Sequence, residues 1–336
     1  MKRVYIKNRI RRQGQFQFYM HQFVESCINY GFVSVKDVCP NYKYYIRPIM
    51  RRLFICICVI FHICHLKPFK KNKALIITAS GDIIPDSIFP YYFKYEIIPM
   101  LWDNWPSTWK KMYNSFDLFD IHTVFVTSSQ VAEQINNQTK IHAYWIPEGI
   151  DSTGYKNEKR LKDRSINVLE MGRQHPKLHS ILVQMVKQGV LTDVVSSKIN
   201  TDGTLNLKKL SFNTFESLTK ALSDSKILIC FPQCDTNPQR AGDIETLTQR
   251  YWEGMLSGCI MLGRAPKELI NVIGYNPVVE IDWDNPEKQI FDILNNIESY
   301  QELVDKNYDA ALKHASWDNR MPLIKKYLEI EGYCIC

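Results

Sequence analysis

The stretch that most restricts how this chain can fold is Lys226–Gly263. An apolar run, Lys226–Phe231 (KILICF), leads into a polar loop, Pro232–Gly242, then a helical pattern and a second apolar run, Cys259–Leu262 (CIML). Leu247, Tyr251 and Met255 recur every fourth residue and make an apolar helical stripe. Thr246, Gln249 and Glu253 fall on the opposite side at helical spacing. Asp243 or Thr246 can cap the start, Glu245 adds negative charge where exposed backbone N–H groups favour it, and Gly258 ends the helix. By periodicity alone this is a surface helix with a solvated polar face.

The same alternation runs through the chain. In the first half, strands are expected at Arg3–Ile6, Ala74–Thr78, Glu96–Trp102 and Thr123–Thr127, with Tyr144–Pro147 closing the region. Helices are expected over Gln15–Tyr30, after Pro106, and from about Gln130. Strands at Ile166–Met171, Thr192–Val195 and Val278–Ile281 flank the opening stretch in the second half. Helices near Leu178–Lys187, Phe215–Ser223, Pro286–Ile297, Tyr300–His314 and Arg320–Ile330 complete it. This order predicts an α/β fold of two Rossmann-like doubly wound parallel sheets, and such sheets bind ligands at the carboxyl ends of their strands. Asp82, after Gly81, and Asp103 lie at such ends, where each is either a catalytic carboxylate or a turn former.

With 45% hydrophobic residues, 336 residues can bury two cores. The expected division is 1–150, a charged linker at 151–165, 166–318, and a last helix within 319–336. Charge is unevenly spread. Residues 1–73 hold 15 of the 42 Lys and Arg but only Glu25 and Asp37 of the 35 Asp and Glu. A basic first domain implies an anionic partner. Nothing resembles a zinc finger, an RNA-recognition signature or a basic zipper, so a nucleic acid is not expected. An anionic membrane surface is. Leu53–Leu66 is apolar for about fourteen residues, short of the roughly 20 a spanning helix needs. It reads either as a helix lying on a membrane surface, with Arg47, Arg51, Arg52, Lys67, Lys70 and Lys71 as basic flanks, or as a buried element. Met1–Gln13 is charged and lacks the apolar core of a signal peptide, so a cytoplasmic protein is expected, peripheral on the inner face of the cell membrane if the surface helix holds.

Metal chemistry has little support. Cys56, Cys58, His62, Cys64 and His65 crowd together without a CxxC pair. Asp282-Trp283-Asp284 reads as a strand-to-helix turn, so no metal and no cofactor are expected. P-loop, Gly-x-Gly-x-x-Gly and Gly-x-Ser-x-Gly motifs are absent.

An apolar strand, Phe231-Pro232, a polar loop, Glu245, seven residues, Glu253-Gly254-Met255, Ser257-Gly258-Cys259 and another strand together resemble retaining glycosyltransferases of the GT-B fold, those with a Glu-(seven residues)-Glu signature. Pro147-Glu148-Gly149-Ile150-Asp151 resembles the crossover between the two halves of such enzymes, with Glu148 in place of the usual Asn. Gly172-Arg173, with Lys177 four residues on, resembles the family's Gly-Arg and Lys element, one residue shorter than usual.

The resemblance implies a metal-independent glycosyltransferase whose donor is a nucleotide-diphosphate sugar. It implies that Arg173 and Lys177 clamp the diphosphate after Gly172, that Glu245 lies beside the sugar, and that Glu253 holds the ribose hydroxyls. Thr246 joins the donor-binding set, and Asp82, Asp103 and Glu245 are the catalytic candidates. Eight residues of helix would separate the two glutamates by roughly 12 Å. The acceptor implied is a glycan or a lipid-diphosphate-linked saccharide in surface-polysaccharide assembly. The alternatives are a nucleotide-sugar epimerase of the same fold and a catalytically silent membrane- or nucleic-acid-binding module.

Overall fold

A computed structural model describes residues 1–7, 18–36, 43–61, 71–81, 84–155, 157–196, 212 and 214–335. The chain divides into two compact units, one of Met1–Pro147, Gln239–Ile244 and Trp317–Cys336, the other of Glu148–Pro238 and Glu245–Ser316.

The first unit is built on a parallel sheet of β1 (Lys2–Lys7), β2 (Val33–Val35), β3 (Lys73–Ser80), β4 (Glu96–Trp102), β5 (Thr123–Val126), β6 (His142–Trp145) and a strand from the far end of the chain, Tyr333–Ile335. The order is Tyr333–Ile335, β1, β3, β4, β5, β6, and β2 also pairs with β1. The first half of β1 takes the C-terminal strand as its neighbour (Lys2 opposite Tyr333), while its second half takes β2 (Tyr5 opposite Val33). Ala74–Ile77 in β3 are all buried, as a parallel strand covered on both faces requires.

Residues from 317 onward are part of this unit's core. Trp317, 1% exposed, meets Phe23 at 5.2 Å and Trp102 at 5.9 Å between ring centroids. Met321, Ile324 and Leu328 of the helix Met321–Ile330 join the same cluster. Beyond the helix, Tyr144 donates to the Glu331 carboxylate at 2.5 Å, the His142 Nδ1 lies 2.6 Å from it, and Tyr144 stacks on Tyr327 at 4.2 Å.

The apolar run at Leu53–Leu66 falls partly within α2, Lys43–Ile60, which follows α1, Phe18–Asn29. Lys67 and Lys70 lie outside the described residues, whereas Lys71 is buried, bonded to the Tyr92 carbonyl and over the Tyr92 ring. No described helix is long and apolar enough to cross a membrane.

The second unit carries a five-stranded parallel sheet, β7 (Ile166–Glu170), β8 (Val194–Ser196), β9 (Ser225–Cys230), β10 (Ile260–Gly263) and β11 (Val278–Glu280), in the order β11-β10-β9-β7-β8. Alternation along the strands divides its core in two. Leu169, Leu228, Cys230 and Met261 pack in one cluster, and Val168, Ile227, Ile229, Ile260 and Leu262 in the other. From β7 the chain passes outward to β8 and then returns to β9 on the other side. The carboxyl ends of β7 and β9 therefore flank the point where strand order reverses, the place where doubly wound sheets bind ligands.

Because Trp317 is enclosed by the first unit's aromatic cluster, Trp317→Ala should destabilise that unit by about 3–5 kcal/mol. Urea unfolding followed by tryptophan fluorescence and far-UV circular dichroism measures it; a loss under about 1 kcal/mol would contradict the packing described.

Candidate functional site

The carboxyl edge of the second unit's sheet gathers most of the residues that the sequence singles out. β7 ends in Glu170, and Gly172 follows in the left-handed region at φ 69°. Two constraints demand glycine there. The conformation is one that a side chain strains, and a Cβ would overlap Nη2 of Arg250. Arg250 also donates from Nη1 to the Arg173 carbonyl at 3.4 Å. Arg173 itself is exposed.

Below the turn, Glu170 is buried and its Oε2 is shared by His179 Nδ1 at 2.6 Å and the Ser196 hydroxyl at 2.9 Å. Gln174 donates to Ser196 in turn, at 3.1 Å. Pro176 then opens a helix, Pro176–Lys187, whose next residue is Lys177. The Lys177 ammonium lies over the Trp283 ring, 4.8 Å from its centroid. The His175 ring lies against both Phe231 and Trp283 at 4.7 Å, and burial lowers its pKa.

Glu253 lies on the helix Gln249–Leu256, whose start differs from the sequence expectation. Thr246 and Leu247 precede it in non-helical backbone, Thr248 occupies the N-cap position, and Glu245 stands four residues ahead of the first helical residue. The Leu247 N–H is taken by the buried Glu268 carboxylate at 2.8 Å, a partner well beyond the helix in sequence, so that this N–H does not enter a helical ladder. The two glutamates are therefore not separated by eight residues of helix rise. Thr246 is buried.

Only eight residues long, the helix is held by its buried side. Tyr251, Trp252 and Met255 are fully enclosed. The Trp252 indole donates to the Glu148 carbonyl at 2.8 Å, and Gln249 donates to the Gly149 carbonyl at 3.2 Å, so the crossover-like segment is tied to this helix. On its other face the Glu253 carboxylate accepts from the Tyr155 hydroxyl at 3.3 Å. Burial raises the Glu253 pKa, against the opposing pull of Arg250 and the Tyr155 hydrogen bond.

Glu245 has a different environment. Its Oε1 accepts from Arg264 Nη1 at 2.6 Å, and its Oε2 accepts from the Lys267 backbone N–H at 3.1 Å. Arg264 follows β10 directly and also grips Asp235 with two hydrogen bonds, of 2.6 and 2.7 Å. These bonds hold the Arg264 pKa well above its ordinary value, the Asp235 contact contributing most. Sequence reading missed Arg264, Arg250 and Tyr155. Arg264 had a legible signal, since it stands at the carboxyl end of a strand; the other two acquire meaning only through what they touch.

In the first unit, Asp103 follows β4 at φ 52°, and its carbonyl accepts from the Trp105 N–H at 3.2 Å. Gly81 lies against the adjoining Asn104, where a Cβ would come within 2.8 Å of the Asn104 Oδ1. Asp82 lies outside the described residues. Asp282 accepts from the N–H groups of Asp284 and Asn285 at 3.0 and 3.3 Å, the geometry of a turn former.

No protein-family model matches the sequence, and no curated protein matches it. Solved structures do match. Sucrose-phosphate synthase from Thermosynechococcus elongatus is similar over 99% of this chain and 100% of its own, at a TM-score of 0.60 and 10% identity. Anabaena HepE, solved with UDP and glucose, is similar over 98% of this chain and 100% of its own, at 0.55 and 8%. A point mutant of S. aureus TarM, in complex with Fondaparinux, alpha-GlcNAc-glycerol and UDP, is similar over 77% of this chain at 0.50 and 13%. This chain spans about half of TarM's length, 55%. At such low identities the likeness establishes the fold, which is GT-B.

The raised pKa of Glu253 has a stability consequence. The folded state binds this proton more tightly than the unfolded chain, so the favourable contribution is complete below the unfolded pKa and is lost as pH rises through the folded value. Glu253→Gln removes that loss. Its stability relative to the parent should therefore rise with pH from the ordinary carboxylate range upward, measured by urea titrations across an acid-to-neutral series. A difference that does not change with pH would show that burial does not govern this carboxyl.

Proposed function

We propose that this GT-B chain is a glycosyltransferase that moves a sugar from a nucleotide-diphosphate sugar to a glycan or lipid-diphosphate-linked acceptor. The observation that carries the reading is the grouping, at the strand-order reversal of the second unit, of the left-handed Gly172-Arg173 turn, a helix N-terminus and a partly buried carboxylate. The Thr248 side chain makes no cap hydrogen bond, and of the first helical N–H groups that of Tyr251 donates to the Thr248 carbonyl at 3.2 Å. A helix start and a guanidinium suit a diphosphate, and a carboxylate further along the same helix suits a pair of ribose hydroxyls.

In this reading Arg173 stabilises the charge that the leaving nucleoside diphosphate gains as the glycosidic bond breaks. Glu253 accepts from the ribose, oriented by Tyr155. Glu245 serves the sugar, with Arg264 and the Lys267 N–H fixing its carboxylate, and Thr246 and Gly172 shape the same site. The first unit receives the acceptor, with Asp103 and Asp82 as its candidate carboxylates. Retention of configuration and independence from metal follow the Glu-(seven residues)-Glu resemblance. UDP is the first nucleotide to try, because HepE and TarM were both solved with it.

Purified protein should cleave a nucleotide sugar slowly in water and faster with an acceptor glycan, with proton NMR reporting the anomer formed. Nucleotide-sugar turnover without transfer would favour an epimerase, and no binding of any nucleotide sugar a silent module. A residue that acts on leaving-group charge matters more in the transition state than in the ground state. Arg173→Ala should thus lower kcat at saturating donor by roughly tenfold or more; a change confined to KM would reduce it to a binding contact.

We place the protein in surface-polysaccharide assembly at the inner face of the cell membrane, supported by α2. Its Ile49, Leu53, Ile57 and Ile60 follow one another at helical spacing and are 65%, 61%, 41% and 69% exposed, with Arg52 exposed beside them. An apolar helical face with basic neighbours suits an anionic lipid surface. Flotation with anionic vesicles at low salt, lost at high salt or in a Leu53→Asp, Ile57→Asp variant, is the expected result. Absence of flotation at low salt would remove the membrane from the reading and leave the donor site intact.

A further inference from the structure

We infer that Arg250 supplies the second cation of the diphosphate site, in the role that the sequence motif gives to Lys177. The inference rests on the nucleotide-sugar reading above. Arg250 stands in the first turn of the helix Gln249–Leu256, three residues before Glu253 and on the same face. Its guanidinium occupies the space that the missing Cβ of Gly172 leaves, with Cζ at 3.2 Å from that position and Nη2 closer still. One bond, from Nη1 to the Arg173 carbonyl at 3.4 Å, accounts for a small part of its donors, and its Nε is buried without a hydrogen-bond partner among the described residues. Such a group is held in place by shape while keeping donors for an incoming anion.

The Lys177 ammonium lies over Trp283, whose ring also packs against His175, whereas the side chain that fills the open side of Gly172 is that of Arg250. The Gly172 turn and Arg250 fit each other, since any residue larger than glycine would displace the guanidinium. A planar guanidinium offers paired donors to two phosphate oxygens, which an ammonium does not. Standing beside Glu253 on one helix face, Arg250 also spans the step from ribose to phosphate. It would thereby make the site prefer a nucleoside diphosphate over the corresponding monophosphate.

Calorimetry with UDP, GDP, ADP and dTDP finds the diphosphate that the parent protein binds best; that nucleotide, its monophosphate and its nucleoside are then titrated into variants. Arg250→Gln should weaken the diphosphate by about ten- to hundredfold, weaken the monophosphate less, and leave the nucleoside unchanged, so that the preference for the diphosphate collapses. Lys177→Gln should keep that preference. A general loosening of the fold would lower all three ligands together and would overturn the assignment. If Arg250→Gln does not fold, Arg250→Lys keeps the charge but loses the paired donors; it should narrow the preference several-fold, and an unchanged preference there also overturns it. A parent protein that binds none of the four diphosphates removes the nucleotide-sugar reading itself. A parent that binds one, with the preference lost in Lys177→Gln and kept in Arg250→Gln, removes only the role of Arg250.

Discussion

The candidate site depends on the burial of Tyr251 and Trp252. A helix of eight residues is marginal by itself in water, because nucleating its first turn fixes several residues for a single hydrogen bond. Gln249–Leu256 exists because its inner face fills the second unit's core, and its two aromatic side chains also satisfy their polar ends, Tyr251 on the Arg264 carbonyl and Trp252 on the Glu148 carbonyl. Those bonds link three separate segments at one place: the crossover-like Glu148–Ile150, the helix itself, and the loop after β10. Everything presented on the outer face, Gln249, Arg250 and Glu253, inherits its position from this anchoring.

The two glutamates of the motif have different surroundings. Glu245 is held between a guanidinium and a backbone N–H, in partly solvated surroundings. Glu253 is held by a tyrosine hydroxyl against an apolar interior, where burial opposes its charge and Arg250 favours it. The two carboxylates thus have different partners although they lie on one loop-and-helix segment. Arg264 is central to the first, since it joins Asp235 after β9 to Glu245 in a single charged group.

The first unit shows how distant parts of a chain complete one core. Its sheet uses Tyr333–Ile335 as the edge neighbour of β1, and its aromatic cluster needs Trp317. The Glu331 carboxylate, reached by Tyr144 and His142, holds the same segment against β6. A strand of three residues pairs there only because the helix before it is already packed; alone it has too little surface to bury.

Much of this was legible in the residues themselves. Apolar runs such as ALIIT in the first half and KILICF and CIML in the second, each followed by polar loops and helical stripes, point to parallel sheets, because strands covered on both faces read as continuous apolar runs. Gly172, Arg173, Glu245 and Glu253 stand out through spacing and motif. What the sequence left open depends on contacts between segments far apart in the chain. The helix start moved to Gln249 because Glu268, well beyond the helix in sequence, captures the Leu247 N–H. Val33–Val35 and Tyr333–Ile335 are too short to show a period, and become strands only beside β1. The contact of the Lys177 ammonium with Trp283, far along the chain, is one that spacing does not show. Arg250 reads as one surface arginine among many until the empty side of Gly172 is found to contain it. Local periodicity determined the elements; which side chains meet at their ends was decided by tertiary packing, because a charge or a hydrogen-bond donor acquires its role from its neighbours in space.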